Sequence, residues 1–128
     1  MTFLLDTHIF IWLALEPRRI SSENRAILRE PTNALLVSTV SLWEIQIKMA
    51  LGKITLPRSV QDLFLIQLEF EGIGSLPVLE HHIWAVADLP LHHRDPFDRL
   101  LIAQAIAEGY TLVTADAVFA NYPANVLM

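Results

Sequence analysis

Thr2-Phe3-Leu4-Leu5 is a short apolar run that stops on an acid, Asp6, and passes through Thr7 straight into a helical stretch from His8 to Leu15. That alternation recurs along the chain. Leu35-Leu36-Val37-Ser38 precedes a helix from about Ser41 to Leu51 closed by Gly52, and Ile73 to Val78 precedes a short helix from Glu80 to Ala87. Thr111-Leu112-Val113-Thr114 and Asn125-Val126-Leu127 supply two last strands, with a turn at Ala115-Asp116 and a short helix over Ala117 to Asn121 between them. Further helices run from the caps Ser21-Ser22 to about Arg29, from Pro57-Arg58-Ser59 to about Glu71, and from Asp95-Pro96 through Glu108 to Gly109. Strands this short and apolar have no solvent-facing side. They predict an α/β fold of three layers, α/β/α, with a short-stranded, mainly parallel central sheet, and right-handed crossovers bring every strand C-terminus to one edge. The helix after Pro96 is apolar almost all round and so belongs at the centre. No repeat or linker interrupts the 128 residues, which read as one domain, 1–128.

Hydrophobic residues make up 53% of the chain without counting Gly, above the roughly 45–50% of soluble domains with Gly included. Some apolar surface is expected to meet a partner, and Leu63, Phe64, Leu65 and Ile66 are the natural stretch for a homodimer contact. No apolar run reaches the ~18 residues of a membrane span. The N-terminus meets Asp6 before any basic residue, unlike a secretory signal, so the expected compartment is the cytoplasm; the absence of Cys accords with this and excludes thiolate metal sites. A net charge of −5 argues against binding nucleic acid mainly by neutralising phosphates. It leaves room for a nuclease, because a bound divalent cation reverses the local sign.

The acids lie at telling places. Asp6 follows the first strand, Glu44 sits one turn into the helix after the second, Asp98 is in the first turn of the apolar helix, and Asp116 follows the fourth strand. Each has a purely structural alternative: Asp6 and Asp116 as caps or turn residues, Asp98 as a complement to the helix dipole, Glu44 as the partner of Lys48 four residues on. Taken together they converge on the crevice beyond the strand C-termini, where open α/β sheets bind ligands. Four carboxylates there repel one another unless a cation neutralises them, and an all-oxygen set suits Mg²⁺ or Mn²⁺ with a phosphodiester as substrate.

Leu4-Leu5-Asp6-Thr7-His8, Ser41-Leu42-Trp43-Glu44-Ile45, the block from Asp95-Pro96-Phe97-Asp98-Arg99 to Ala105, and Leu112-Val113-Thr114-Ala115-Asp116 resemble, in order, the motifs of PIN-domain toxins of the VapC type. The resemblance spans nearly the whole chain, and the block at Asp95 is its most specific part. It implies an endoribonuclease, the toxin half of a toxin–antitoxin pair, with Asp6, Glu44, Asp98 and Asp116 as catalytic and metal-binding residues. Asp6 and Asp98 would be the main ligands, Glu44 would position a metal or its water, and Asp116 would hold a second metal directly or through water. The resemblance also implies an RNA substrate, a homodimer, and a small antitoxin that projects a basic side chain into the acidic pocket.

Other residues carry less. His8, His81, His82, His92 and His93 lack metalloprotease spacing and read as solvated or locally hydrogen-bonded, with His92, His93 and Arg94 close enough to Asp95 to meet RNA. Trp12, Trp43 and Trp84 read as core or interface residues, and Lys48 and Arg99 as cations that orient phosphate, orient the carboxylates or form simple ion pairs. An aspartyl phosphatase would want an acid where His8 stands, and a phosphoryl-receiver switch would want paired acids after the first strand and a lysine near the last; neither pattern is present. A catalytically silent acidic pocket is the remaining alternative.

Overall fold

Leu4, Leu5, Val37, Leu112 and Val113 are almost wholly inaccessible to water, as strands covered on both faces must be. The computed structural model describes residues 1–128. Its five strands are β1 (Thr2–Leu5), β2 (Ala34–Ser38), β3 (Gly74–Leu76), β4 (Thr111–Val113) and β5 (Val126–Leu127), all parallel, in the spatial order β3-β2-β1-β4-β5. The helices are α1 (Thr7–Leu15), α2 (Ser22–Leu28), α3 (Thr39–Ala50), α4 (Val60–Glu71), α5 (Glu80–Val86) and α6 (Pro96–Glu108). Short 3₁₀ turns cover Pro17–Arg19 and Ala117–Asn121.

Successive residues of a strand face opposite ways, and here this divides the core in two. Phe3, Leu5 and Val113 join Ile9 and Phe10 of α1, Ile45 of α3 and Leu63 of α4 on one face, while Leu4 and Leu112 join Leu101, Ile102 and Ala105 of α6 and Phe119 on the other. The sheet is therefore entirely parallel and sandwiched, and α6, buried continuously from Leu101 to Ala105, lies at the centre of its layer.

Local chemistry sets the boundaries. Ser38 accepts the Val40 N–H, so α3 starts at Thr39, earlier than the apolar spacing alone suggests. Strand β3 covers only Gly74–Leu76 of the expected stretch. Gly109 closes α6 with φ 71°, a left-handed conformation that lets the chain reverse into β4 without a Cβ clash. Trp43 and Trp84 depart from the core reading: they are 58% and 68% exposed. No helix is long and apolar enough to cross a membrane.

Candidate active site

The chain steps outward from β1 to β2 and β3, then crosses back to lay β4 and β5 on the other side of β1. The pair β1 and β4 is thus the point where strand order reverses, and the crevice beyond their C-terminal ends is the binding position such sheets create. Asp6 leaves β1 at this point, its backbone N–H extending the ladder to Val113 O at 2.9 Å. Asp116 lies a few residues beyond β4 on the neighbouring strand, and Asp98 enters from the first turn of α6. These three carboxylates, with His8, Trp12, Arg19, Ala115 and Phe119, line one open cleft of about 340 Å³.

Asp6 and Asp116 are held by backbone N–H groups, and Asp6 also by a hydroxyl. Asp6 caps α1, Oδ1 accepting from Ile9 N at 2.8 Å, and its Oδ2 accepts the Thr114 hydroxyl at 2.5 Å. Thr114 in turn accepts the Asp116 N–H at 3.0 Å, so one buried hydroxyl links two of the acids. Asp116 Oδ1 accepts from Val118 N at 3.0 Å, capping the 3₁₀ turn that follows. The capping roles and the cleft-lining position coexist in the same side chains.

Asp98 is not a cap. Asp95 fills that role, its Oδ1 accepting from Phe97 N at 2.8 Å and Asp98 N at 3.3 Å, with Pro96 as first helical residue. Freed of that duty, Asp98 Oδ2 lies 3.0 Å from His93 Nε2, and the same nitrogen hydrogen-bonds Asp116 Oδ2 at 3.1 Å. Burial pushes the Asp98 carboxyl up to about 7, and Asp95, Glu44 and Asp6 add to the rise while His93 opposes it. Burial also raises Asp6, against the bonds from Thr114 and Ile9. Carboxyls raised by crowding and burial are the electrostatic signature of a site that gains from a cation.

Glu44 stands apart from the other three. It is buried, but its Oε1 accepts the Thr7 hydroxyl and its Oε2 binds Lys48 Nζ, both at 2.6 Å. That pairing raises the Lys48 pKa. Glu44 does not line the cleft, and it reaches the acids through its charge, which acts on Asp98.

A model of the PIN domain matches residues 3–125. This chain belongs to the PIN-domain family. Over 117 residues the PIN domain is 32% identical to Ribonuclease VapC22 of Mycobacterium tuberculosis, spanning 90% of this chain and 87% of that protein. Its fold matches a chain in the crystal structure of VapBC2 from Rickettsia felis bound to a promoter DNA fragment with a TM-score of 0.75 at 21% identity, covering 99% and 98% of the two chains. A chain of VapBC-1 from nontypeable Haemophilus influenzae matches with a TM-score of 0.66 at 18% identity, covering 99% and 97%.

Several residues around the acids of this PIN domain carry no signal in the linear sequence. Thr114 and Thr7 are ordinary strand-end and helix-start residues until the fold turns their hydroxyls onto Asp6 and Glu44. His93 is signalled only by its closeness to Asp95. Arg19 stacks on Trp12, 4.3 Å from the ring centroid, and brings a cation to the cleft wall. Arg99 departs from its expected part, because its guanidinium donates to the carbonyls of Pro90 at 3.0 Å and Val86 at 3.3 Å. It anchors the loop before α6 and does not orient a carboxylate.

A second cluster, His81, His82 and Glu108, joins α5 to α6. His82 is fully buried; its Nδ1 accepts from Leu79 N at 3.0 Å, leaving the ring proton on Nε2 to meet Glu108 Oε1 at 2.8 Å. The bonds from His82 and His81 hold Glu108 below the usual carboxylate range. With both His82 nitrogens committed, this cluster is a structural tie.

Proposed function

We propose that this PIN domain is a metal-dependent endoribonuclease, the toxin of a VapBC-type pair, with Asp6, Glu44, Asp98 and Asp116 as its acidic machinery and Mg²⁺ or Mn²⁺ as its cofactor. The observation that carries this reading is the convergence of three carboxylates on one cleft at the β1–β4 switch point, with Asp98 driven up to about 7. The donor set fits a hard divalent ion: three carboxylates, two of them already oriented by backbone N–H groups, and an open face towards solvent. Bound there, such an ion would supply a nucleophile from water and charge stabilisation at a phosphodiester.

The chain's own residues do the rest. Thr114 and Ile9 N–H fix the Asp6 rotamer, leaving lone pairs directed to the cleft. Glu44, held by Thr7 and Lys48, adds its charge to the field that Asp98 feels. Arg19, stacked on the Trp12 face and paired with Glu16, brings a guanidinium to the cleft wall that is suited to an RNA phosphate next to the reacting one. The name of the relative Ribonuclease VapC22 supports RNA as the substrate class.

Cleavage of RNA by the purified chain is expected with Mg²⁺ or Mn²⁺ and lost in chelator. Asp6→Asn, which preserves the cap on α1 but removes the charge, is expected to fold and to lose activity by ~10²–10³-fold, the scale for one preorganised electrostatic group. Undiminished cleavage in chelator overturns the metal mechanism. The VapBC assemblies of similar fold support a small antitoxin as partner, and exposed Leu65, Leu68 and Phe70 on α4 support apolar contacts with it or within a homodimer. Light scattering of the chain alone and with the small protein encoded beside it tests both assemblies; a monomer that ignores that protein contradicts them.

A further inference from the structure

His93 sits between Asp98 and Asp116, yet its ring is not free to act as a ligand. The Asp95 backbone N–H donates to His93 Nδ1 at 3.1 Å, so Nδ1 is an acceptor and the proton of the neutral ring is on Nε2. That Nε2 faces Asp116 Oδ2 at 3.1 Å and Asp98 Oδ2 at 3.0 Å. A metal on Nε2 would require moving the proton to Nδ1 and breaking the bond that the Asp95 N–H makes to the ring. The ring is also packed edge-on against Phe119, centroids 5.7 Å apart, and its loop is tethered by Arg99 and by the Tyr122 hydroxyl, which accepts the His93 N–H at 2.7 Å.

We infer that His93 is a positioning residue of the acidic cleft: its Nε2–H is donated to Asp116 and stands in electrostatic contact with Asp98, holding the two carboxylates in place without itself ligating the cation. This rests on the metal-centre reading above. One carboxylate follows β4 and the other opens α6, and the His93 ring is the side chain that meets both, by a hydrogen bond to Asp116 and a 3.0 Å contact with Asp98. A donor between them offsets their repulsion and leaves Asp98 Oδ1 free for the ion, while Asp116 Oδ1 keeps a lone pair beyond its bond from Val118 N. Partners of this kind, outside the ligand set, set ligand orientation and affinity in metal sites.

Two substitutions separate the ring's two bonds. His93→Gln carries an amide N–H to the Nε2 position but leaves the Asp95 N–H unpaired, whereas His93→Asn can accept that N–H and falls short of the carboxylates. By calorimetric titration with Mn²⁺, His93→Asn is expected to weaken binding about 10–100-fold while His93→Gln stays within about threefold of the parent. Nitrogen-detected NMR of the Mg²⁺-loaded protein is expected to find the His93 Nε2 proton retained. Equal affinity of His93→Asn and the parent, or equal weakening in both variants, overturns the positioning role, and loss of the Nε2 proton on loading makes His93 a ligand instead. If the parent itself binds no Mn²⁺, the metal-centre reading fails and this inference with it.

Discussion

Asp98→Asn is expected to abolish divalent-ion-dependent RNA cleavage while leaving the fold as stable as before or more so. The amide retains the size of the side chain, and the helix cap does not depend on it because Asp95 accepts the first-turn N–H groups. What disappears is one negative charge from a group whose ionisation burial, Asp95, Glu44 and Asp6 all oppose. The nearby substitutions reverse this pattern. Asp95→Asn still caps and is expected to retain most activity and stability, whereas Asp95→Ala is expected to lose roughly 0.5–2 kcal/mol of stability. Melting curves and cleavage rates of the three variants decide the assignment. An active Asp98→Asn beside an inactive Asp95→Asn would mean that the two aspartates have exchanged roles.

The raised Asp98 carboxyl makes stability and metal affinity depend on pH in opposite directions. Its pKa is 3.8 in an unperturbed chain and about 7 when folded. Below 3.8 both states hold the proton and the contribution to stability is complete; between 3.8 and about 7 only the folded protein holds it, and that contribution is lost progressively as pH rises through the folded value. Without metal, the parent is therefore expected to lose stability relative to Asp98→Asn across this window, with the difference levelling off above it. Mg²⁺ or Mn²⁺ must displace the same proton. Apparent affinity is expected to fall up to about tenfold per pH unit below the folded pKa, and added metal to restore stability at pH 8 far more than at pH 5. Thermal melts of parent and Asp98→Asn across pH, with and without metal, measure both trends. Metal-free curves that stay parallel throughout would show that Asp98 is not perturbed.

What was legible in the sequence is what local chemistry encodes. Leu4-Leu5 ending on Asp6, the Asp95-Pro96 start and the Gly109 stop each carry their signal within a few residues, and the strands, caps and continuously buried α6 follow from them. Convergence of Asp6, Asp98 and Asp116 was also readable, because a parallel sheet with helical crossovers sends every strand C-terminus to one edge. The remainder depends on contacts distant in sequence. Thr114 reaches Asp6 across nearly the whole chain, and His93 reaches Asp116 across the length of α6 and β4. Arg99 follows Asp98 immediately, but a helix turns adjacent residues about 100° apart, and its partners are carbonyls of the preceding loop. Trp43 and Trp84, expected in the core or at an interface, lie outside the core, because apolar character does not specify which helix face the rest of the protein covers.

Anomalous diffraction from crystals of the protein soaked in Mn²⁺ near neutral pH tests most directly whether the cleft between Asp6, Asp98 and Asp116 is a divalent-cation centre. The expected result is an anomalous peak bounded by these three carboxylates, with His93 outside its ligand shell and no peak in Asp98→Asn crystals grown alike. A peak confined to His81 and Glu108, or none in the cleft at saturating Mn²⁺, would contradict it.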